Sequence, residues 1–196
     1  MSQTTKIIFL DFDGPISNYR TALQTGHHEQ FDPVAVEALD NICVVSGAKI
    51  VCSSSRSYKE SRPSFLENKR LFENAGFDMR NMHEDWSCWD ANIGRTKSIE
   101  RWLKNHPEIT HYAIIDDDIV DLPNFIHIDA YDGILLKDFQ KVAEYLAMDI
   151  GDAFKHAAYK RKDYSQLRLE LEEFDRQYNV AVHREHNNKT QKRNIV

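Results

Sequence analysis

The chain has 196 residues, 41% of them hydrophobic and 11% aromatic, with a formal net charge of −6. That composition supports one compact domain with a real core. It excludes a disordered segment, and it excludes a molecule drawn as a whole to nucleic acid or anionic membranes by its charge.

Three dispersed cysteines, Cys43, Cys52 and Cys88, outline no disulfide framework. No long apolar run marks a signal peptide or a membrane span, so a cytoplasmic setting is expected. In chain order, Ile7 to Leu10 is a short apolar run with the pattern of a buried strand, ended by Asp11-Phe12-Asp13-Gly14. Only about 13 residues, Asn18 to Gln30, separate this turn from the next helix, too few for a cap domain, so an open site is expected. Asp32 as N-cap and Pro33 in the first turn start a helix over Val34 to Val45, stopped at Gly47. Lys49 to Cys52 is the second strand and leads into Ser53-Ser54-Ser55-Arg56.

Residues 57–94 are expected as a small insertion over the site, with a helix near Ser64 to Ala75 and an irregular segment holding Met82, His83, Trp86, Cys88 and Trp89. Lys97 to Lys104 reads as a helix stopped before Pro107. Tyr112 to Ile115 is a third strand, followed by Asp116-Asp117-Asp118, and Phe125 to Ile128 a fourth. The order β-α-β-α-β-β predicts an α/β fold with a parallel sheet flanked by helices, the catalytic domain spanning residues 1–150. Residues 152–196 carry ten Lys or Arg against seven Asp or Glu, a balance of +3 against −9 for the rest. Leu167, Leu171, Phe174 and Tyr178 form one helical stripe there, so residues 151–196 are expected as a C-terminal helical extension with a frayed tail. The stripe packs on the domain or on a second copy of the chain, which would make a homo-oligomer.

Three of the polar segments follow β-like runs, which places them together at the carboxyl ends of strands, where open α/β sheets bind ligands. Asp11 and Asp13, two apart beyond a strand, can divide labour. One carboxylate attacks phosphorus to form an aspartyl-phosphate, and the other protonates the leaving oxygen and later activates water. Gly14 lets the backbone approach a phosphoryl group closely. Asp116 and Asp117 supply oxygen ligands for a cation that offsets the repulsion between carboxylates and an anionic phosphate, and oxygen-only ligation is the Mg²⁺ preference. Lys97 is expected to bring an ammonium to the transferring group. Among the three serines Ser54 is chosen as the phosphate-binding hydroxyl, because it leaves Arg56, with Ser55 between them, free to fork onto phosphate oxygens.

These motifs resemble the haloacid dehalogenase (HAD) superfamily of aspartate-nucleophile phosphohydrolases: Asp11-x-Asp13-Gly14, the strand-borne Ser54, Lys97 and Asp116-Asp117, over residues 6–137. The resemblance implies a Rossmann-like core and Mg²⁺ dependence. It further implies Asp11 as nucleophile and metal ligand, Asp13 as acid/base with its backbone carbonyl on the metal, and Asp116 as a further ligand. Ser54-x-Arg56, Lys97-x-x-x-x-Trp102 and Ile115-Asp116-Asp117 are similar to the phosphatase domain of polynucleotide kinase-phosphatases. The run Gly47 to Ser54 is similar to small HAD domains of RNA-repair enzymes. Pro15 departs from those families, and no P-loop for a kinase half occurs.

The expected activity is phosphomonoester hydrolysis on a nucleotide or a nucleic-acid terminal phosphate, a mononucleotide being preferred for the acidic balance. The alternatives are a non-catalytic metal- and phosphate-binding module and a HAD phosphotransferase. Lys59, Arg62, Lys69, Arg70, Trp86 and Trp89 read either as a nucleotide-holding surface or as core anchors and a solvated helix face, with the second preferred. His27-His28 and His183-x-x-His186 read as surface histidines.

Overall fold

The computed structural model describes residues 5–27, 30–57 and 62–160. The chain divides into two compact units, Met1–Ala157 and Ala158–Val196. The expected stripe from Leu167 to Tyr178 lies outside the described residues, as do His28, Lys59, His183 and His186.

Five strands build one sheet: β1 (Lys6–Leu10), β2 (Lys49–Cys52), β3 (Met82–Ser87), β4 (His111–Asp116) and β5 (Phe125–His127). Their order is β3-β2-β1-β4-β5 and every pairing is parallel, the Rossmann-like arrangement of a HAD core. Such a sheet is covered on both faces, which is why β1, β2 and β4 are apolar runs rather than alternations. Ile8 and Leu10 point into a cluster with Leu39, Ile42, Ile50 and Ile115. Ile7 and Phe9 point the other way, into a cluster with Val51, Ile99, Trp102 and Ile114.

The helices are α1 (Tyr19–Thr25), α2 (Pro33–Ser46), α3 (Arg62–Asn74), α4 (Arg95–Asn105), α5 (Leu136–Tyr145) and α6 (Ile150–Lys160). α2 starts where its cap chemistry dictates: Asp32 Oδ1 accepts from the Val34 and Ala35 N–H groups at 2.9 and 3.3 Å. Phe72 on α3 packs edge-on to Phe12 and Phe31, which seats the first motif's loop on the core.

Two expectations need correction. The segment from Met82, taken as irregular, is the edge strand β3, so much of the supposed insertion at 57–94 is crossover helix and sheet. Its sequence lacks an apolar run because it is paired on one side only, with a register shift against β2. The stretch before Asp32 is not all loop either: α1 is a seven-residue helix capped by Asn18, whose side chain accepts from Thr21 N–H. Among the described residues no helix is long and apolar enough to cross a membrane.

Candidate active site

Asp11 stands one residue past the central strand. Its N–H donates to Ile115 O at 3.0 Å, and Ser53 N–H donates to Leu10 O at 3.0 Å. The ladder thus runs on beyond the strand ends and ties the polar segments after β1, β2 and β4 together. They meet beside β1, where the chain that built β2 and β3 on one flank crosses to build β4 and β5 on the other, the switch point of an open sheet.

Asp11 and Asp116 are buried and Asp117 is half-buried, and one carboxylate oxygen from each lies within 4.8 Å of the others. Gly14 makes the close approach possible. It holds φ +89°, and a Cβ there would run into Asp117, 2.8 Å from its Cβ. Burial pushes the Asp11 carboxyl up to about 6, with Arg95 opposing the rise. Burial and the neighbouring Asp11 push Asp116 up to about 7, and burial raises Asp117 as well.

Among the described residues the cation that meets this charge is Arg95, not Lys97. Arg95 Nη1 bonds Asp116 Oδ1, lies 3.3 Å from Asp11 Oδ2 and 3.5 Å from Asp118, with only 15% of its side chain exposed. Trp89 covers the guanidinium, its ring centroid 5.6 Å from Cζ. Two buried oxygens, Asp11 Oδ1 and Asp116 Oδ2, have no hydrogen-bond partner among the described residues. Buried carboxylate oxygens rarely stay unpaired. With Asp117 beside them they form an all-oxygen donor set that fits a hard divalent cation.

Ser54 is buried beside Asp11, where it opposes the rise that burial imposes on that carboxyl, and its Oγ accepts from the Arg56 N–H at 3.3 Å. Ser53 Oγ is buried without a partner among the described residues, and Ser55 is exposed in the turn Ser55–Ser57. Asp13 has a different environment from Asp11. Its side chain is 58% exposed and outside the acidic triad, and Arg56 Nη1 donates to its Oδ1 at 2.8 Å. The Arg56 expected to fork onto phosphate is therefore, in this state, the partner of the expected acid/base.

A family model described as a HAD domain in Swiss Army Knife RNA repair proteins matches residues 7–139. The chain belongs to this family. No curated protein and no solved structure matches it.

As a HAD domain the protein has a phosphatase-like core, and its motif residues Asp11, Asp13, Gly14, Ser54, Arg56, Asp116 and Asp117 gather at the carboxyl end of the sheet. Lys97 does not join them: it is exposed on α4 and makes no ion pair among the described residues. α4 opens at Arg95, two residues before the expected start, and side chains in a helix lean toward its N-terminus. That puts the first residue of the HAD helix, not the third, against the strand ends. The usable signal was Gly94, which frees the helix to begin at the next residue. Of the aromatic and basic residues weighed as a nucleotide surface, Trp86 packs partly against the core and Lys69 pairs with Glu73 at 3.6 Å. Asp121 is exposed, whereas Asp118 lies 3.5 Å from Arg95 Nη1.

Proposed function

We propose that this HAD domain is a Mg²⁺-dependent phosphomonoesterase acting through an aspartyl-phosphate on a nucleotide or a nucleic-acid terminal phosphate. The observation that carries the reading is the pair of orphaned buried oxygens, Asp11 Oδ1 and Asp116 Oδ2, within the Asp11-Asp116-Asp117 triad and beside the half-buried Arg95. Asp11, Asp116 and Asp117, with the Asp13 backbone carbonyl, would hold the Mg²⁺. When bound, the ion supplies charge neutralisation and alignment of the phosphoryl oxygens.

An Asp11 carboxylate oxygen attacks phosphorus, and the bond from phosphorus to the ester oxygen breaks. Ser54 orients the nucleophile and Arg95 takes up negative charge on the phosphoryl group. Asp13, exposed at the mouth, gives its proton to the departing alkoxide. It then takes one from water as that water attacks the phospho-aspartate, releasing inorganic phosphate and restoring the Asp11 carboxylate and the protonated Asp13. Arg56 moves from Asp13 to the phosphate as the substrate enters. The RNA-repair setting of the family supports a polynucleotide end as substrate, and the acidic net charge of −6 supports a mononucleotide.

Phosphate release is measured across mononucleotides and 5′- and 3′-phosphorylated oligonucleotides, in Mg²⁺ and in EDTA. Release from at least one of them, lost in EDTA and in Asp11→Asn, is expected. No release from the whole panel rejects the enzyme reading, and release that survives EDTA rejects the metal.

A further inference from the structure

We infer that Tyr131, backed by Tyr19, is the platform on which the base of the substrate nucleotide stacks, a specificity-determining site that rests on the nucleotide reading above. The two rings stack face to face, centroids 4.8 Å apart and planes 24° from parallel. Yet Tyr131 remains 68% exposed and Tyr19 51% exposed. With one face of Tyr131 on Tyr19, most of that exposure belongs to its opposite face and edge. A large aromatic surface offered flat to solvent invites another flat π-system.

Its place in the fold aims it at the site. Tyr131 lies four residues past the carboxyl end of β5, at the same end of the sheet as Asp11, Ser54 and Asp116. Its loop is laced to the residue after the first motif and to the start of α1: Ile134 N–H donates to Pro15 O at 3.1 Å, Arg20 N–H to Tyr131 O at 3.0 Å and Tyr19 N–H to Ala130 O at 3.3 Å. Pro15 directly follows Gly14, the glycine packed on Asp117. One hydrogen bond therefore joins the aromatic rim to the phosphate-handling loop.

Charge gives the orientation. The loop that carries Tyr131 is acidic, with Asp129 and Asp132 on either side of it both exposed, and it disfavours phosphate while leaving a neutral base unopposed. Arg56 stands across the mouth, at the end of β2 beside Asp13. A nucleotide is thereby placed with its phosphate toward Asp11 and Arg56 and its base toward Tyr131.

The test compares kcat/KM for adenosine 5′- and 3′-monophosphates with that for glycerol phosphate, which carries no base, in the full chain with Mg²⁺. Tyr131→Ala is expected to lower the ratio of nucleotide to glycerol phosphate roughly 5- to 100-fold, mainly through the nucleotide KM, the range of one base stacked on an aromatic. Tyr131→Trp is expected to restore it. A ratio unchanged in Tyr131→Ala, or both esters slowing equally with a lowered Tm, makes the pair a mere clasp between loops and overturns the proposal while the phosphatase reading stands. If the parent hydrolyses none of these esters, that reading fails, and calorimetric titration with adenosine 5′-monophosphate decides. Weaker binding in Tyr131→Ala supports the platform, and equal binding overturns it.

Discussion

Arg95 divides the oxygens of two buried carboxylates: it takes Asp11 Oδ2 and Asp116 Oδ1, and the other oxygen of each is left for a cation. Both contacts are made by the single nitrogen Nη1, which sits between the two carboxylates. Arg95→Ala is expected to lower kcat by roughly 100- to 1000-fold, the scale of losing one preorganised donor, whereas Lys97→Ala stays within a few-fold of the parent. Steady-state kinetics on both variants check this, and the opposite ranking would return the role to Lys97. The sequence holds both basic residues two apart, and no pattern of hydrophobicity tells which one faces the strand ends. Only the true start of α4, one residue after Gly94, decides it.

Asp11 and Asp13 differ as sharply as two residues two apart can: one is buried against Ser54 and Arg95, the other exposed on Arg56. Asp11→Asn removes the nucleophile, so no phosphoryl-enzyme forms on any substrate. Asp13→Ala removes a proton donor and a base, so with an activated aryl phosphate the first step survives and the second stalls. A burst of about one product per site with acid-labile phosphate on the protein is then expected, the fingerprint of a covalent intermediate. Rapid-quench kinetics and intact mass decide, and phosphorylation of Asp11→Asn would mean a misassigned nucleophile. Arg56→Lys is expected to weaken kcat/KM by about 1–3 kcal/mol, the scale of a charge-assisted hydrogen bond. Unchanged kinetics would confine Arg56 to anchoring Asp13.

At the scale of elements, what could be read from the sequence was what burial and capping imprint on it. β1, β2 and β4 are buried on both faces and so are apolar runs, and Asp32-Pro33 announces α2. β3 carries Met-His-Glu-Asp-Trp-Ser, half-exposed at the sheet edge, and edge strands leave no such imprint. The acids of the site were legible because each follows a buried run. The aromatic rim was not, since Tyr19 and Tyr131 are far apart in sequence and brought together only by loop hydrogen bonds. The turn after β1 tests how tightly these elements are set. Gly14 and Gly76 hold nearly the same positive φ, +89° and +87°, but a Cβ meets Asp117 at the first and nothing within 4 Å at the second. Both alanine variants should lose stability by about 1–2 kcal/mol for the left-handed backbone, and Gly14→Ala should lose Mg²⁺-dependent turnover as well. Thermal melts and an Mg²⁺ titration of activity check it. A Gly14→Ala enzyme with parental Mg²⁺ dependence would place Asp117 outside the metal site.

For the molecule as a whole, the acidic triad makes stability depend on pH and on metal in opposite senses. Asp11 and Asp116 are raised from 3.8 to about 6 and about 7, chiefly by burial. Between those values the metal-free folded protein holds protons that the unfolded chain has released. The stabilisation tied to these groups is therefore complete below about pH 4 and is lost as the pH rises through 6 to 7. Mg²⁺ binds only the ionised carboxylates, so its stabilising effect grows over the same interval. In EDTA, Asp116→Asn should gain Tm relative to the parent as pH goes from 5 to 8, because it removes a buried charge facing Asp11 while leaving Arg95 paired with Asp11. In Mg²⁺ that gain should shrink or reverse, since the parent alone keeps all three ligands. The comparison between parent and variant cancels the titration of groups outside this cluster, including His83, whose pKa burial lowers. Scanning fluorimetry across this range, with and without Mg²⁺, reads the difference directly. A Tm difference indifferent to both pH and Mg²⁺ would mean that Asp116 neither titrates in this range nor binds the ion.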